Sequence, residues 1–239
     1  QNHGGKTLKN YTAYLKIAKE PDMQNDYDDI RFIDNNCKAS GTNSLDYEID
    51  HYNSTLAHVW VRIPKINSTN HSLCMYYSSG LALDYQNSSG VWKDSFDLVY
   101  HMSQTGTNDR LDSTSNNYDA MPKNFDGDEK ISGIVGLADN LDGIDEYLSI
   151  RSLSYSGTGT ISEITVCSLI KSSSSALQFI MSFDRSEYFR LALKDDYSSN
   201  YVGWDTNNGG VDDLMNSYEV ADGNWHFVCG WYNSSYSGN

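Results

Sequence analysis

No apolar run in this 239-residue chain approaches the roughly 20 residues that a membrane-spanning helix needs, so no membrane span is expected. Basic residues are scarce: 17 Lys and Arg stand against 32 Asp and Glu, for a formal net charge of −15. Phosphate backbones are bound through Lys and Arg with release of counterions, so nucleic acid is excluded as a natural partner. An acidic surface suits divalent cations, or simply the self-repulsion that keeps a solvated protein dispersed. Only three prolines occur, and no heptad or long helical repeat. The signatures of the commoner chemistries are missing as well. There is no G-x-S-x-G elbow, no H-E-x-x-H pair, no phosphate-binding glycine loop and no C-x-x-C. Ser156-Gly157-Thr158-Gly159 is too short for a phosphate loop and reads as a turn.

What the chain does hold is strand and turn material. Aromatic residues make up 13% of it, 18 of them tyrosine, and Ser, Thr and Asn are frequent, which favours strands and turns over helices. The organising stretch is Leu141 to Ile150, an Asp142-Gly143 turn feeding a strand in which Tyr147 and Ser149 face one way and Leu148 and Ile150 the other. Before it, alternation predicts strands at Tyr11–Ala18, Asp28–Ile33, Leu45–Ile49, Ala57–Pro64 and Leu73–Tyr77. In the clearest of these, Val59, Val61 and Ile63 point inward while His58, Trp60 and Arg62 share the other face. After it, strands are predicted at Ile161–Ile170, Leu177–Phe183, Phe189–Lys194, Tyr201–Trp204 and Trp225–Tyr232. The polar stretch Gly80–Gly90 is the best boundary, giving a small β-sandwich domain over 1–90 and a second β domain over 91–239. Residues 109–133 read as one long polar loop, of the kind that is functional, stapled by an ion, or mobile.

Cys37, Cys74, Cys167 and Cys229 are even in number and widely spaced, which suits disulfides in an oxidising compartment. Three pairings exist; Cys37–Cys74 with Cys167–Cys229 keeps each bridge within one domain and is the pairing expected. Six Asn-x-Ser/Thr acceptors, at Asn10, Asn53, Asn67, Asn70, Asn87 and Asn233, point to a secreted glycoprotein. The chain opens Gln1-Asn2-His3-Gly4-Gly5 with no signal peptide, as a mature chain after cleavage would. Asp126, Asp128, Asp142 and Asp145 are candidates for calcium ligation through hard oxygens, although their spacing does not match an EF-hand loop and solvated turns are the plainer reading. Trp60, Trp204, Trp225 and Trp231 offer faces for stacking on sugar rings, against a background in which sandwich tryptophans are mostly core. His101 and His226 belong to strand patterns and are expected to make structural hydrogen bonds.

Two sets of segments carry a resemblance. Val99-Tyr100-His101-Met102, Asp112-Ser113-Thr114, Gly136 to Tyr147 with its Leu-Asp-Gly-x-Asp-Glu-Tyr core, Ile161 to Ile170 and Asp222 to Val228 together resemble the concanavalin-A-like, laminin-G-like jelly rolls of extracellular proteins. Asp29–Phe32, Leu45–Ile49, Val59–Pro64 and Met75–Tyr77 resemble the uncharacterised secreted β domain that often precedes such jelly rolls in bacterial and archaeal surface proteins. The resemblance implies an all-β chain of two antiparallel β-sandwich modules, located outside the cell, in adhesion or glycan contact and in some cases holding a structural calcium. It also suggests pairing Cys167 with Cys229 across the second sandwich. The glucanases of that superfamily take their carboxylates from an E-x-D-x-x-E strand; Glu163-Ile164-Thr165-Val166 begins similarly, but Thr165 and Ser168 stand where further carboxylates belong. The expectation is therefore a non-catalytic surface protein binding a carbohydrate or protein ligand, with polysaccharide hydrolysis a remote alternative. Similar jelly rolls run on through two or three further strands, so the second module is expected to be incomplete at its C-terminus. Either a longer protein or strand addition from another copy, in a homo-oligomer, filament or surface layer, would complete it.

Overall fold

The computed structural model describes residues 6–34, 44–67, 71–151, 153, 161–174, 176–183, 189–193, 201–205, 214–215 and 218–235. The fold is all-β, and among the described residues every strand pairing is antiparallel. The strands are β1 (Leu8–Ala18), β2 (Arg31–Ile33), β3 (Tyr47–Tyr52), β4 (Leu56–Ile66), β5 (Cys74–Tyr76), β6 (Ala120–Lys123), β7 (Lys130–Ser132), β8 (Leu137–Asp139) and β9 (Tyr147–Ile150). They continue with β10 (Glu163–Lys171), β11 (Gln178–Ser182), β12 (Arg190–Leu193), β13 (Val202–Asp205), β14 (Leu214–Met215) and β15 (Trp225–Asn233). A single helical turn, α1 (Ser88–Val91), is capped by the Asn87 side chain, which accepts from the Gly90 N–H. Among the described residues no helix is long and apolar enough to cross a membrane.

Two compact units divide the chain, residues 1–152 and 153–239. The first is built on a three-stranded sheet in the order β1-β4-β3. Period-two alternation sends Val59 and Val61 of β4 and Tyr47 of β3 to one face, where they meet Phe32 of β2 and Met75 of β5 together with Tyr27 and Ile30. Each such side chain contributes about 1.5–3 kcal/mol on burial, so this layer is the main source of the unit's stability. The other face, carrying Tyr14, Trp60 and Arg62, is covered by the chain that follows residue 87. Arg62 is only 4% exposed, donating to the Val91 carbonyl at 3.2 Å and to the Asp94 carboxylate. Trp92 packs edge-on against Trp60 at 5.3 Å between ring centroids.

The stretch before Gly90, the boundary expected from composition, delivers α1 and Trp92 onto the β1-β4-β3 sheet, and the first compact unit runs to residue 152. The stretch 109–133 is likewise no plain loop, since it holds β6 and β7 and is pinned internally. Arg110 is fully buried, forks onto Asp139 (Nε–Oδ2 2.8 Å, Nη2–Oδ1 3.0 Å) and lies over the Phe125 ring. Asp112 accepts from the N–H groups of Val99, Thr114 and Tyr118 at 3.0 Å each and from the Thr114 hydroxyl at 2.7 Å. One carboxylate thereby closes three loop segments.

The second unit contains a four-stranded sheet in the order β11-β12-β13-β14 and the two-stranded ribbon β10-β15. Leu191, Leu193, Val202 and Trp204 from the sheet pack with Val228, Val166, Ile164 and Tyr232 from the ribbon, a sandwich-like core. Gly230 is required there, because a Cβ at that position would stand 2.1 Å from Cε3 of Trp204. Cys167 and Cys229 form a disulfide between direct register partners of β10 and β15, with Cα atoms 4.1 Å apart. The bridge therefore joins neighbouring strands of one ribbon and does not cross the sandwich. Alternation explains this: Val166 and Val228 turn inward, so Cys167 and Cys229 must turn outward. Cys74 is also disulfide-bonded, and Cys37 lies outside the described residues.

Candidate functional site

Strands β12, β13 and β15 border a groove of about 490 Å³, lined by Trp204, Tyr218, His226, Phe227 and Trp231 among others. Tyr218, Phe227 and Trp231 are 76%, 70% and 54% exposed, large apolar faces turned to solvent. Trp204 is 5% exposed, and its indole Nε1–H is buried with no hydrogen-bond partner among the described residues. An unpaired buried N–H costs about 1–3 kcal/mol, so this donor favours any acceptor that reaches it. His226 is held by Asp222 (Nε2–Oδ1 2.9 Å), whose carboxyl is pulled well below its usual range by hydrogen bonds from His226 and Asn224. Exposed aromatic faces in a groove suit a ligand with apolar C–H faces.

The first unit holds a different cluster. Residue 50 is the extra residue of a bulge in β3, because Ile49 pairs with Val59 and His51 with His58. Glu48 and Asp50 clamp one imidazole between them: His101 Nε2 lies 3.0 Å from Glu48 Oε2, and Nδ1 lies 3.1 Å from Asp50 Oδ2. Trp60 donates to Asp50 at 3.1 Å, Trp92 to Glu48, and the Ser113 hydroxyl to Glu48 at 2.7 Å. The ring stacks on Trp60, with centroids 5.9 Å apart. Burial pulls the His101 pKa down, but hydrogen bonds and charge from Asp50 and Glu48 outweigh it and raise it to about 9. His101 is thus an imidazolium at neutral pH, with both N–H groups committed. A polar cleft of about 270 Å³ opens beside it, lined by Glu48, Asp50, His101, Gln104 and Ser113.

The acidic turns form the third feature. Carboxylate oxygens of Asp126, Asp128 and Glu129 lie within 4.8 Å of one another. Glu129 is 1% exposed, and its Oε1 accepts from the N–H groups of Asp126 and Gly127 at 2.6 and 3.0 Å. The turn after β8 meets this one: Asn140 N donates to the Glu129 carbonyl at 2.7 Å, and Asn124 Nδ2 to the Asp145 carbonyl at 2.9 Å. Asp142 Oδ1 closes its own turn by accepting from Ile144 N at 2.7 Å. Of the four aspartates singled out in sequence, the structure gathers Asp126 and Asp128; Asp142 is a turn-closing residue and Asp145 contributes its backbone. Glu129 and Glu146 were missed, since in sequence they extend an acidic run and only burial distinguishes Glu129.

The remaining sites fall as follows. Trp60 and Trp204 are structural, Trp225 is half-buried, and Trp231 is exposed. Of the acceptor asparagines, Asn10, Asn53, Asn67 and Asn87 are exposed, Asn233 is half-buried, and Asn70 lies outside the described residues. Asn87 has its amide engaged, with Nδ2 donating to Asp46 at 2.7 Å, as does Asn233, donating to Glu163 at 2.8 Å. Glu48, Asp50 and Trp92 carry no recognisable motif; their only sequence signal is the i, i+2 pair of acids on one strand face.

Among protein families, one described as a domain of unknown function (DUF2341) matches residues 26–119, less than half of the chain. That span takes in β2 to β5, α1, Trp92 and His101, and it crosses the boundary expected near residue 90. No curated protein and no solved structure matches the chain.

Proposed function

We propose that this is a non-catalytic extracellular or cell-surface protein of adhesive or carbohydrate-binding type, its second unit a concanavalin-A-like jelly roll whose ligand is a saccharide. The groove beside Trp204 carries the reading. Pyranose rings present C–H faces to Tyr218, Phe227 and Trp231, the exposed aromatic side chains that line the groove. Glycosidic hydrolysis needs two flanking carboxylates, and the described lining of the groove has none. Glu48 and Asp50, the two carboxylates at the polar cleft of the first unit, are held by an imidazolium and by indole donors. Oxidised cysteines and exposed acceptor asparagines support the extracellular address. On a broad glycan array, wild type is expected to bind a defined saccharide class, and Trp231→Ala to lose about two- to tenfold in affinity, the scale of one lost stacking contact. No binding to any glycan, or equal binding by the variant, overturns the assignment.

A second reading, self-assembly into a filament or surface layer, rests on β10 and β15. Each is nine residues long, and among the described residues they pair only with one another. Long unpaired edges are templates for strand addition. Concentration-dependent multimers in light scattering are expected under this reading, and a strict monomer at every concentration rules it out.

A further inference from the structure

Glu129 poses a problem that the fold does not solve. Its Oε1 is satisfied by two backbone donors, but Oε2 is buried with no hydrogen-bond partner among the described residues. The group within hydrogen-bonding reach of this carboxylate is another carboxylate, that of Glu146, whose own Oε2 accepts from Asp142 N at 2.6 Å. Two carboxylate anions in contact repel unless a proton or a cation lies between them. Asp126 and Asp128 add two more acids on the exposed side. No basic side chain among the described residues pairs with any of these groups; Lys130, next in sequence, gives its ammonium to Asp139 and the Met102 carbonyl, both at 2.6 Å.

We propose that the two turns bind one calcium ion, held by Asp126, Asp128 and the buried Oε2 of Glu129, with Glu146 reaching in from the second turn. The donor set is all oxygen, with no His or Cys in the cluster, which selects a hard cation over zinc or copper. Mono- and bidentate carboxylates on two separate turns suit the larger, geometrically tolerant Ca²⁺ better than octahedral Mg²⁺. The ion would fasten the turn before β7 to the turn before β9, two segments joined by the Asn124 and Asn140 hydrogen bonds. The proposal is independent of the saccharide groove, which belongs to the other unit.

The test is calorimetric titration of the metal-stripped full chain with CaCl2 and, separately, MgCl2, beside thermal melts of the same samples. One Ca²⁺ site is expected, with Kd on the order of 10⁻⁴ M or tighter as in extracellular modules, and a melting temperature that climbs with calcium concentration. Asp128→Asn is exposed and leaves the fold intact; it and Glu146→Gln should each weaken Ca²⁺ binding at least tenfold with unchanged circular dichroism. Glu129→Gln is the less clean variant, because its Oε1 also closes the turn. Absence of a calcium response up to about 10 mM, beyond the range of extracellular sites, overturns the proposal. So does an equal affinity for Mg²⁺, or wild-type affinity in both Asp128→Asn and Glu146→Gln.

Discussion

Raising the pH should loosen the first unit through a single side chain. His101 sits 10% exposed between Glu48 and Asp50, its folded pKa raised to about 9 from an ordinary 6.5. A group whose pKa is higher in the folded state stabilises fully below its unfolded value and loses that contribution as pH climbs through the folded one. The window here is therefore pH 6.5 to about 9. At 1.36 kcal/mol per tenfold change in proton affinity, the difference amounts to about 3 kcal/mol, a large share of a typical 5–15 kcal/mol stability. Urea unfolding at pH 6.5 and 9.5, followed by hydrogen exchange of the β3 and β4 amides, reads the loss in this unit alone. Wild type should lose about 3 kcal/mol across that interval, while His101→Gln, having no proton to release, should lose much less. Parallel pH curves for the two, or an imidazole that titrates near 6.5 by NMR, would refute the clamp.

Two further perturbations follow from buried partnerships. Arg110→Met leaves Asp139 buried with Lys130 alone, and should cost about 3 kcal/mol by urea denaturation, the lower end for breaking a buried pair; a cost below about 1 kcal/mol would mean that the fork contributes little beyond a surface pair. Cys167→Ser with Cys229→Ser removes a bridge of sequence separation 62 and should lower the stability of the second unit by about 4 kcal/mol, seen as a melting transition shifted downward only in that unit.

The parts of the fold legible in sequence are those governed by period-two alternation. Val59 and Val61, or Leu191 and Leu193, announce their faces because the pleat leaves no other option. Composition marks a break at Gly80–Gly90 because it reports local flexibility, whereas the contacts of Trp92 and Arg62, some thirty residues apart, are a matter of tertiary packing. The His101 clamp was illegible for the same cause, since Glu48, Asp50 and His101 share no spacing that chemistry dictates and meet only through a bulge and a covering segment. Of the acidic turns, the sequence showed that charge is concentrated there. Which carboxylates converge depends on one buried glutamate, and burial is a tertiary property.

The ribbon disulfide also gives the second unit an unusual connectivity. Strands β11 to β14 all lie between Cys167 and Cys229, so the whole four-stranded sheet is strung on a covalently closed ring. A protease that cuts one peptide bond inside that ring opens the ring but releases nothing: the two fragments stay joined through sulfur, with β10 and β15 still in register. A single nick inside the ring would then be a survivable event, and loss of the sheet would need either two cuts or a reductant.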